Sequence, residues 1–533
     1  MRWFLLLTAL ILSPHTVMGR VLRVPTDYST IQAALDSVGS SDTVLVALGV
    51  YAEALQAPPR SFVLKGDLVP DTGDYPRPTI DPSALDSATM KNCLTLSSAG
   101  FPLTIEDFRF HNGPQMFPHD PWGAGGISDD HSSMTLRRCV FDSCFYGIRT
   151  HGASHVLEQC RFTKVVYAGL YAALGSIKAS DCLFWGSGMW LVKTASGGDS
   201  STIDRCEFRS DSCSFPLETS VRHVRHCLFH APGAGHRAWE SSLWFYASGD
   251  VSDNVVTDIA GGNDALGIGN WGSGMVTVRN NTFARLSPSS TGAIMSAVSY
   301  AALDTMRIGV RIEDNTFADC FSYGQSYPTA TYLYGGAEIR HNHFANLGIA
   351  DLPPVISAHV DSTIIRDNVF VNTGTGVNTW VWPDTFYVVT PDARWNYWGD
   401  STGPYNANSN PNGLGVPVGD NVLFDPWYPD SSFLLAAKRP FIPQPSAFSL
   451  SAYPNPFNSS VRLHFAVPEA GIYRLELFNM LGQRVKELWS GPLQGEKDVI
   501  FDGAPYASGT YLARATNTIY NRPVATIKLV LLK

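Results

Sequence analysis

The side chains best able to do chemistry stand close together in the first third of the chain. Asp129, Asp130 and His131 are consecutive, and His151, followed by Gly152, comes 21 residues after Asp130. Paired carboxylates beside an imidazole are what acid-catalysed glycoside cleavage needs, one group to deliver a proton and another to activate the attacker. A polysaccharide lyase would instead need carboxylates for Ca²⁺ and a Lys or Arg base. Asp253, Asp258 and Asp264, or Asp314 and Asp319, could supply those acids. Both sets have a plainer reading. Asp129 and Asp130 suit a polar turn before a strand at Met134, and the later acids suit solvated turns. No cluster reads as a metal site. No cofactor is expected, Ca²⁺ entering only with a lyase.

Aromatic residues suggest contact with sugars. Of 13 tryptophans, Trp185, Trp190, Trp244, Trp271, Trp380 and Trp382 fall outside the repeat positions described below, as do Trp239, Tyr332 and Tyr334. Flat rings along an elongated face can stack on a polysaccharide. The alternative for each is to pack a loop onto the body of the protein.

These residues need a scaffold, and composition narrows the choice. The 533 residues are 44% apolar and only 16% charged, with 46 Gly and 34 Pro. Such a chain favours many short strands joined by turns. The net charge is −9 and no Lys/Arg run occurs, which argues against nucleic acid or an anionic membrane surface as partner. At the N-terminus, Arg2, the apolar run Trp3 to Leu12, and small Gly19 read as a signal peptide over residues 1–19. No later run is long enough to predict a transmembrane span.

One phrase recurs through the middle of the chain: apolar, two polar residues, Cys or Asn, any residue, aromatic. It reads Leu136-Arg137-Arg138-Cys139-Val140-Phe141 and, later, Ile339-Arg340-His341-Asn342-His343-Phe344. The final position falls at Phe110, Phe141, Phe162, Phe184, Phe208, Phe229, Val256, Phe283, Phe317, Phe344, Phe370 and Trp398, at intervals of 21 to 34 residues. That period predicts a solenoid of about twelve coils. Strict alternation places the Cys/Asn on the inward face with the aromatic, and the first apolar residue out of phase with both.

The Cys/Asn position runs Cys139, Cys160, Cys182, Cys206 and Cys227, then Asn254, Asn281, Asn315, Asn342, Asn368 and Asn396. Buried and stacked, the thiols would act as small apolar groups, and the amides would hydrogen-bond from coil to coil. Asn would also tolerate the bend between sheets. Nine cysteines is an odd number, and coils about 4.8 Å apart hold neighbours slightly too far apart for a disulfide, so the column reads as free thiols. Cys93, Cys144, Cys213 and Cys320 stand outside it with no evident pairing.

A solenoid needs capped ends. Ile31, Ala34, Leu35 and Val38 make one apolar helix stripe, with Ser29 and Gln32 as a capping box and Gly39 as the stop. Thr43 to Val46 reads as the first strand. The run Ser29-Thr30-Ile31-Gln32-Ala33-Ala34-Leu35, then Asp42 to Val46 and Gly49-Val50-Tyr51, resembles the start of pectin-lyase-like right-handed parallel β-helix proteins. Trp395 to Asp400, Thr402-Gly403-Pro404, Asp420-Asn421-Val422 and Asp425-Pro426-Trp427 look like their closing coil. The resemblance implies a right-handed parallel β-helix over residues 20–435. It leaves activity open, because the superfamily includes lyases, hydrolases, epimerases and adhesins. The order Asp-Asp, then His-Gly, is similar to polygalacturonases. No upstream Asn-x-Asp accompanies it, and Ile177-Lys178 stands where an Arg-x-Lys would be expected.

Residues 436–447, with Pro440, Pro443 and Pro445, read as a stiff linker, and residues 448–533 as a small β-sandwich. Tyr453-Pro454-Asn455-Pro456-Phe457, the run Leu477 to Val485 with Gly482, Ser508-Gly509-Thr510-Tyr511 and Lys528-Leu529-Val530 resemble the C-terminal sorting domain of type IX secretion cargo. That resemblance implies contact with secretion machinery and delivery outside the cell or onto its surface. The expectation for the whole chain is an exported protein that binds polysaccharide or another extracellular polymer. The alternative is a carbohydrate-active enzyme, a lyase or glycosidase. The insertions between Phe110 and Phe141, and between Phe283 and Phe317, are the expected binding rim.

Overall fold

The computed structural model describes residues 19–533 except 69–75, 86–91, 97–100, 112–124, 153, 174, 187–189, 196–200, 211–214, 232–241, 246–247, 261–264, 273, 288–294, 300–307, 321–330, 348–353, 359–361, 380–388, 435–447 and 519–521. Residues 1–18 of the expected signal peptide, the Pro-rich linker, Cys213 and part of each expected rim insertion therefore lie outside the described residues.

Successive strands visit three parallel sheets in turn. Among the described residues the first sheet has 14 strands, from Val21–Val24 to Ile364–Arg366. The second has 13, from Val50–Tyr51 to Val369–Val371, and the third has 13, from Leu55–Ala57 to Val377–Thr379. The chain is a parallel β-helix, right-handed as such crossovers are. The repeat gives its register directly: Phe110, Phe141 and Phe162 pair across the second sheet, and Phe317, Phe344 and Phe370 do so later. The rings stack at 4.7–5.2 Å from Phe110 to Phe229, and again from Phe283 to Trp398, with Val256 as the break. Two earlier coils carry Tyr51 and Ile80 in the same column. Neither is Phe and neither follows a Cys or Asn, so the repeat phrase passes over them.

Alternation fails at the corner between the first and second sheets, and the failure there shapes the core. Leu136, Cys139 and Phe141 are all buried, although the first two stand an odd three positions apart. The residue between sheets, Arg138, has φ +52°, and Gln159, Asp181, Arg205, His226, Asp253, Asn280, Asp314, His341 and Asp367 share that left-handed conformation. This one-residue corner resets the phase, so the first apolar position also points inward. The bend falls on the residue before the Cys/Asn, not on the Asn itself.

Behind the corner the two ladders form as expected. Asn254 Nδ2 donates to Asn281 Oδ1 at 2.9 Å, and the relay continues through Asn315, Asn342 and Asn368 to Asn396. Each amide also reaches a carbonyl one coil back, as Asn315 Nδ2 does to Val278 O at 2.9 Å. The thiols reach the equivalent carbonyls more weakly: Cys139 Sγ lies 3.6 Å from Ile105 O and Cys160 Sγ 3.5 Å from Leu136 O. All eight described cysteines are buried and unbridged. Burial pushes the Cys139, Cys182 and Cys227 thiols up, and Cys320 to about 12, so they stay neutral.

The N-terminal cap differs in detail from its sequence reading. A strand, Val21–Val24, precedes the helix Ile31–Ser37 and pairs with Thr43–Val46. Thr30, not Ser29, caps the helix through Ala33 N, and Val38 rather than Gly39 closes it. The Glu53 carboxylate takes the N–H groups of Ile31 and Gln32 at 2.9 Å each. A carboxylate from a later segment thus does what a local capping box would have done, and Gln32 turns instead to Asp36 and Gln56. At the far end Trp398 stacks under Phe370, and Trp427 covers Gly403 and bonds Ser401 O.

The last 86 residues form an antiparallel sheet of five strands. Ser460–Asn479 and Arg484–Asp502 are long enough to run through both layers, and Leu463 and Leu475, from opposite halves of one strand, meet in one core with Val499 and Leu529. The expected sandwich is therefore a single sheet folded over itself. No helix among the described residues is long and apolar enough to cross a membrane.

Candidate functional site

Asp129 ends the third-sheet strand Gly125–Asp129, and His151 ends the next, Tyr146–His151. Coil stacking therefore brings Asp130, His131 and His151 together, as their spacing suggested. Asp130 Oδ1 lies 2.7 Å from His131 Nδ1 and 3.9 Å from His151 Nδ1, and the two rings meet edge to face at 5.1 Å. All three side chains are about half exposed or more.

Asp129 is turned the other way. It is buried and accepts from Ser132 N and from the Thr150 hydroxyl at 2.9 Å. Burial raises its pKa. Because the Thr150 proton goes to Asp129, Thr150 Oγ1 accepts from His155 Nε2 at 2.7 Å. His155 Nδ1 is buried with no partner. That is the arrangement of a neutral imidazole, and burial brings His155 down to about 4. The two consecutive carboxylates thus face opposite sides and do not share a substrate space.

A second feature lies on the outer face of the second sheet. An open groove of about 530 Å³ is lined by Arg77, Arg109, Arg161, Lys164, Asp142 and Trp185, among others. Arg109 and Arg161 each precede an anchor aromatic, so alternation points them outward. Asp142 pairs with Arg109. Burial alone would raise Asp142, but the bonds to Arg109 and Thr163 outweigh it, and its pKa is lowered. The Arg209 guanidinium lies over the Trp185 ring at 4.9 Å.

The tail motifs also meet in space. Asn455 donates to Lys528 O at 2.7 Å and accepts from Val530 N at 2.9 Å, which joins the Tyr453–Pro456 segment to the last strand. Phe457 is buried beside them, while Tyr453 and Lys528 are exposed. Gly482 lies in the turn that the Asn479 side chain closes through Leu481 N and Gln483 N, and Gly509 opens the strand Gly509–Asn517.

Comparison with known families agrees with this layout. Residues 93–283 match the model of the right handed beta helix region, and residues 451–530 match the secretion system C-terminal sorting domain. The chain is a right-handed β-helix protein with a sorting tail. No curated protein matches the sequence. Among solved structures it is similar to the mannuronan C-5 epimerase AlgE6 A-module of Azotobacter vinelandii, at 11% identity and TM-score 0.29 over 74% of this chain and 94% of that one. It is also similar to the tailspike protein of E. coli bacteriophage HK620, at 12% identity and TM-score 0.31 over 88% and 87%. Overlaps this loose carry no argument about activity. The tail indicates export, to the cell surface or the medium.

Among the described residues, the aromatic candidates of this β-helix protein lie on more than one sheet. Trp185 is on the second sheet. Trp190 and Trp244 lie in third-sheet strands, their side chains outside the described atoms, and Trp271, 47% exposed, follows the third-sheet strand Leu266–Asn270. Trp380 and Trp382 lie outside the described residues. The cations of the groove were missed by sequence reasoning, which followed the inward columns. The position before each anchor aromatic, read as a column of its own, would have shown Arg109 and Arg161.

Proposed function

We propose that this exported protein binds an anionic extracellular polysaccharide along the groove on its second sheet. The observation that carries the reading is four cationic side chains, Arg77, Arg109, Arg161 and Lys164, lining one open groove beside Trp185 in a chain of net charge −9. A local excess of positive charge against a negative whole attracts a polyanion to that face alone. Arg side chains suit carboxylate or sulfate groups, and the flat face of an indole suits a sugar ring. The groove lining holds one carboxylate, Asp142, whose lowered pKa keeps it an anion at neutral pH. A general acid must instead hold its proton near working pH. Binding is therefore favoured here over glycoside cleavage.

The test is affinity electrophoresis of the purified protein in gels containing polygalacturonate, alginate or a sulfated glycan, with dextran as the neutral control. Retardation should occur with the polyanions and fade with salt. Arg161→Ala and Lys164→Ala should each weaken retention by about tenfold, the scale of one charge-assisted hydrogen bond. Equal retention of wild type and both variants would remove the groove from the account.

A further inference from the structure

The groove does not involve the cluster at Asp130, His131 and His151, which is on a different edge of the solenoid. We propose that these three residues bind a divalent transition-metal ion, Zn²⁺ in the first instance. Each offers a ligand atom, and the three atoms fall within 4.8 Å of one another. Two ligands of one tetrahedral Zn²⁺ sit about 3.3 Å apart when the bonds are about 2.0 Å long. The observed separations from Asp130 Oδ1, 2.7 Å to His131 and 3.9 Å to His151, bracket that value. Small rotations of exposed side chains complete the set.

The backbone around the cluster holds the three groups in place. His131 has φ +71°, a conformation uncommon for a residue other than glycine. It turns the ring toward the next coil. Gly152, at φ +74°, leaves room for it: a Cβ there would stand 2.6 Å from His131 Cδ2. The two coils are tied beneath the cluster. His131 N donates to His151 O at 2.9 Å, and buried Asp129 binds both Ser132 N in its own turn and Thr150 in the neighbouring strand. The turn that presents Asp130 and His131 is thereby fixed to the strand end that presents His151. Support of this kind behind a ligand set narrows its geometry.

The donor set selects the class of ion. Two imidazoles and one carboxylate suit Zn²⁺, Ni²⁺ or Cu²⁺, whereas Ca²⁺ and Mg²⁺ prefer oxygen throughout. Three protein ligands leave at least one position for water, as in open zinc sites.

The experiment is calorimetric titration of the full exported chain, stripped of metal, with Zn²⁺, and a parallel titration with Co²⁺ followed by visible absorption. One site per chain is expected, with a Co²⁺ spectrum of nitrogen and oxygen ligation. His151→Ala and Asp130→Asn should each weaken Zn²⁺ binding by at least about tenfold, while His341→Ala, at the corner of a distant coil, leaves it unchanged. Circular dichroism checks folding. Should His151→Ala fail to fold, Asp130→Asn, a change in an exposed side chain, gives the same reading. Failure of the wild type to bind Zn²⁺ below about 100 μM, or equal affinity in wild type and the folded variants, overturns the proposal.

Discussion

His155 shows how one buried side chain makes stability depend on pH. It is 1% exposed, and its pKa falls from 6.5 to about 4 because burial penalises the cation. Its Nδ1 has no acceptor, so a proton placed there would be buried without a partner. Between pH 6.5 and 4 the unfolded chain binds a proton at this position that the folded chain does not. Stability from the neutral form is complete above 6.5, falls as the pH drops toward 4, and is lost below it. The shift corresponds to about 3 kcal/mol. The thermal midpoint of the wild type should therefore fall between pH 7 and pH 4.5 more steeply than that of His155→Gln, which carries no titrating group. Parallel curves for the two proteins would show that His155 does not carry this dependence.

The solenoid's elements fit because large residues of one sheet meet small ones of another. The Phe column of the second sheet leans against a glycine column in the third. A Cβ on Gly126 would stand 2.8 Å from Phe141 Cδ1, and one on Gly147 would stand 2.7 Å from Phe162 Cδ1 and 2.4 Å from Gly169 O. Both the backbone and a stacked ring would have to give way. Gly147→Ala should cost about 2–3 kcal/mol, read as a lowered thermal midpoint with unchanged far-ultraviolet circular dichroism. An unchanged midpoint would mean that the coil relaxes freely at this point. This complementarity also marks the limit of what the sequence discloses. Phe141, Cys139 and Asn315 repeat at one position per coil, so their columns, register and ladder bonds are legible. The pairing of Gly147 with Phe162 crosses between sheets, and no single repeat records it. The corner residues were hidden for another reason. Arg138, Gln159, Asp181 and His226 share a backbone conformation but not a chemical type, because the corner asks only for an outward side chain that tolerates positive φ. The Asp130–His151 pairing was legible from its 21-residue spacing, whereas the opposed directions of Asp129 and Asp130 follow from the turn that Ser132 N closes.

At the scale of the molecule, the sorting tail rests against the same sheet that carries the groove. The outward position before the anchor is cationic at Arg109 and Arg161, with Val140 between them, and is apolar at Leu183, Leu228 and Val255, where the one intervening charge, Glu207, is buried and held by His230. Ile472 of the tail packs on Leu183 and Leu228, with Trp185 and Val255 beside them, and is fully buried. Arg474 of the tail reaches Asp181 at 3.2 Å, a carboxylate that Arg205 already holds from the solenoid. Trp185 thus belongs both to the groove wall and to the rim of this contact. Burial of one Ile side chain is worth about 2 kcal/mol, so a contact of this size holds the tail without locking it. Replacing Ile472 with Asp would set a carboxylate against Leu183 and Leu228, costing its desolvation and removing the apolar contact. Ile472→Asp should therefore release the tail while both parts stay folded. Small-angle X-ray scattering should show a larger radius of gyration, and limited proteolysis should cut between the two parts faster than in the wild type. If polysaccharide retention in the gel assay rises in the same variant, the docked tail partly covers the binding face. An unchanged radius of gyration and cleavage rate would show that the tail does not depend on Ile472 for its position.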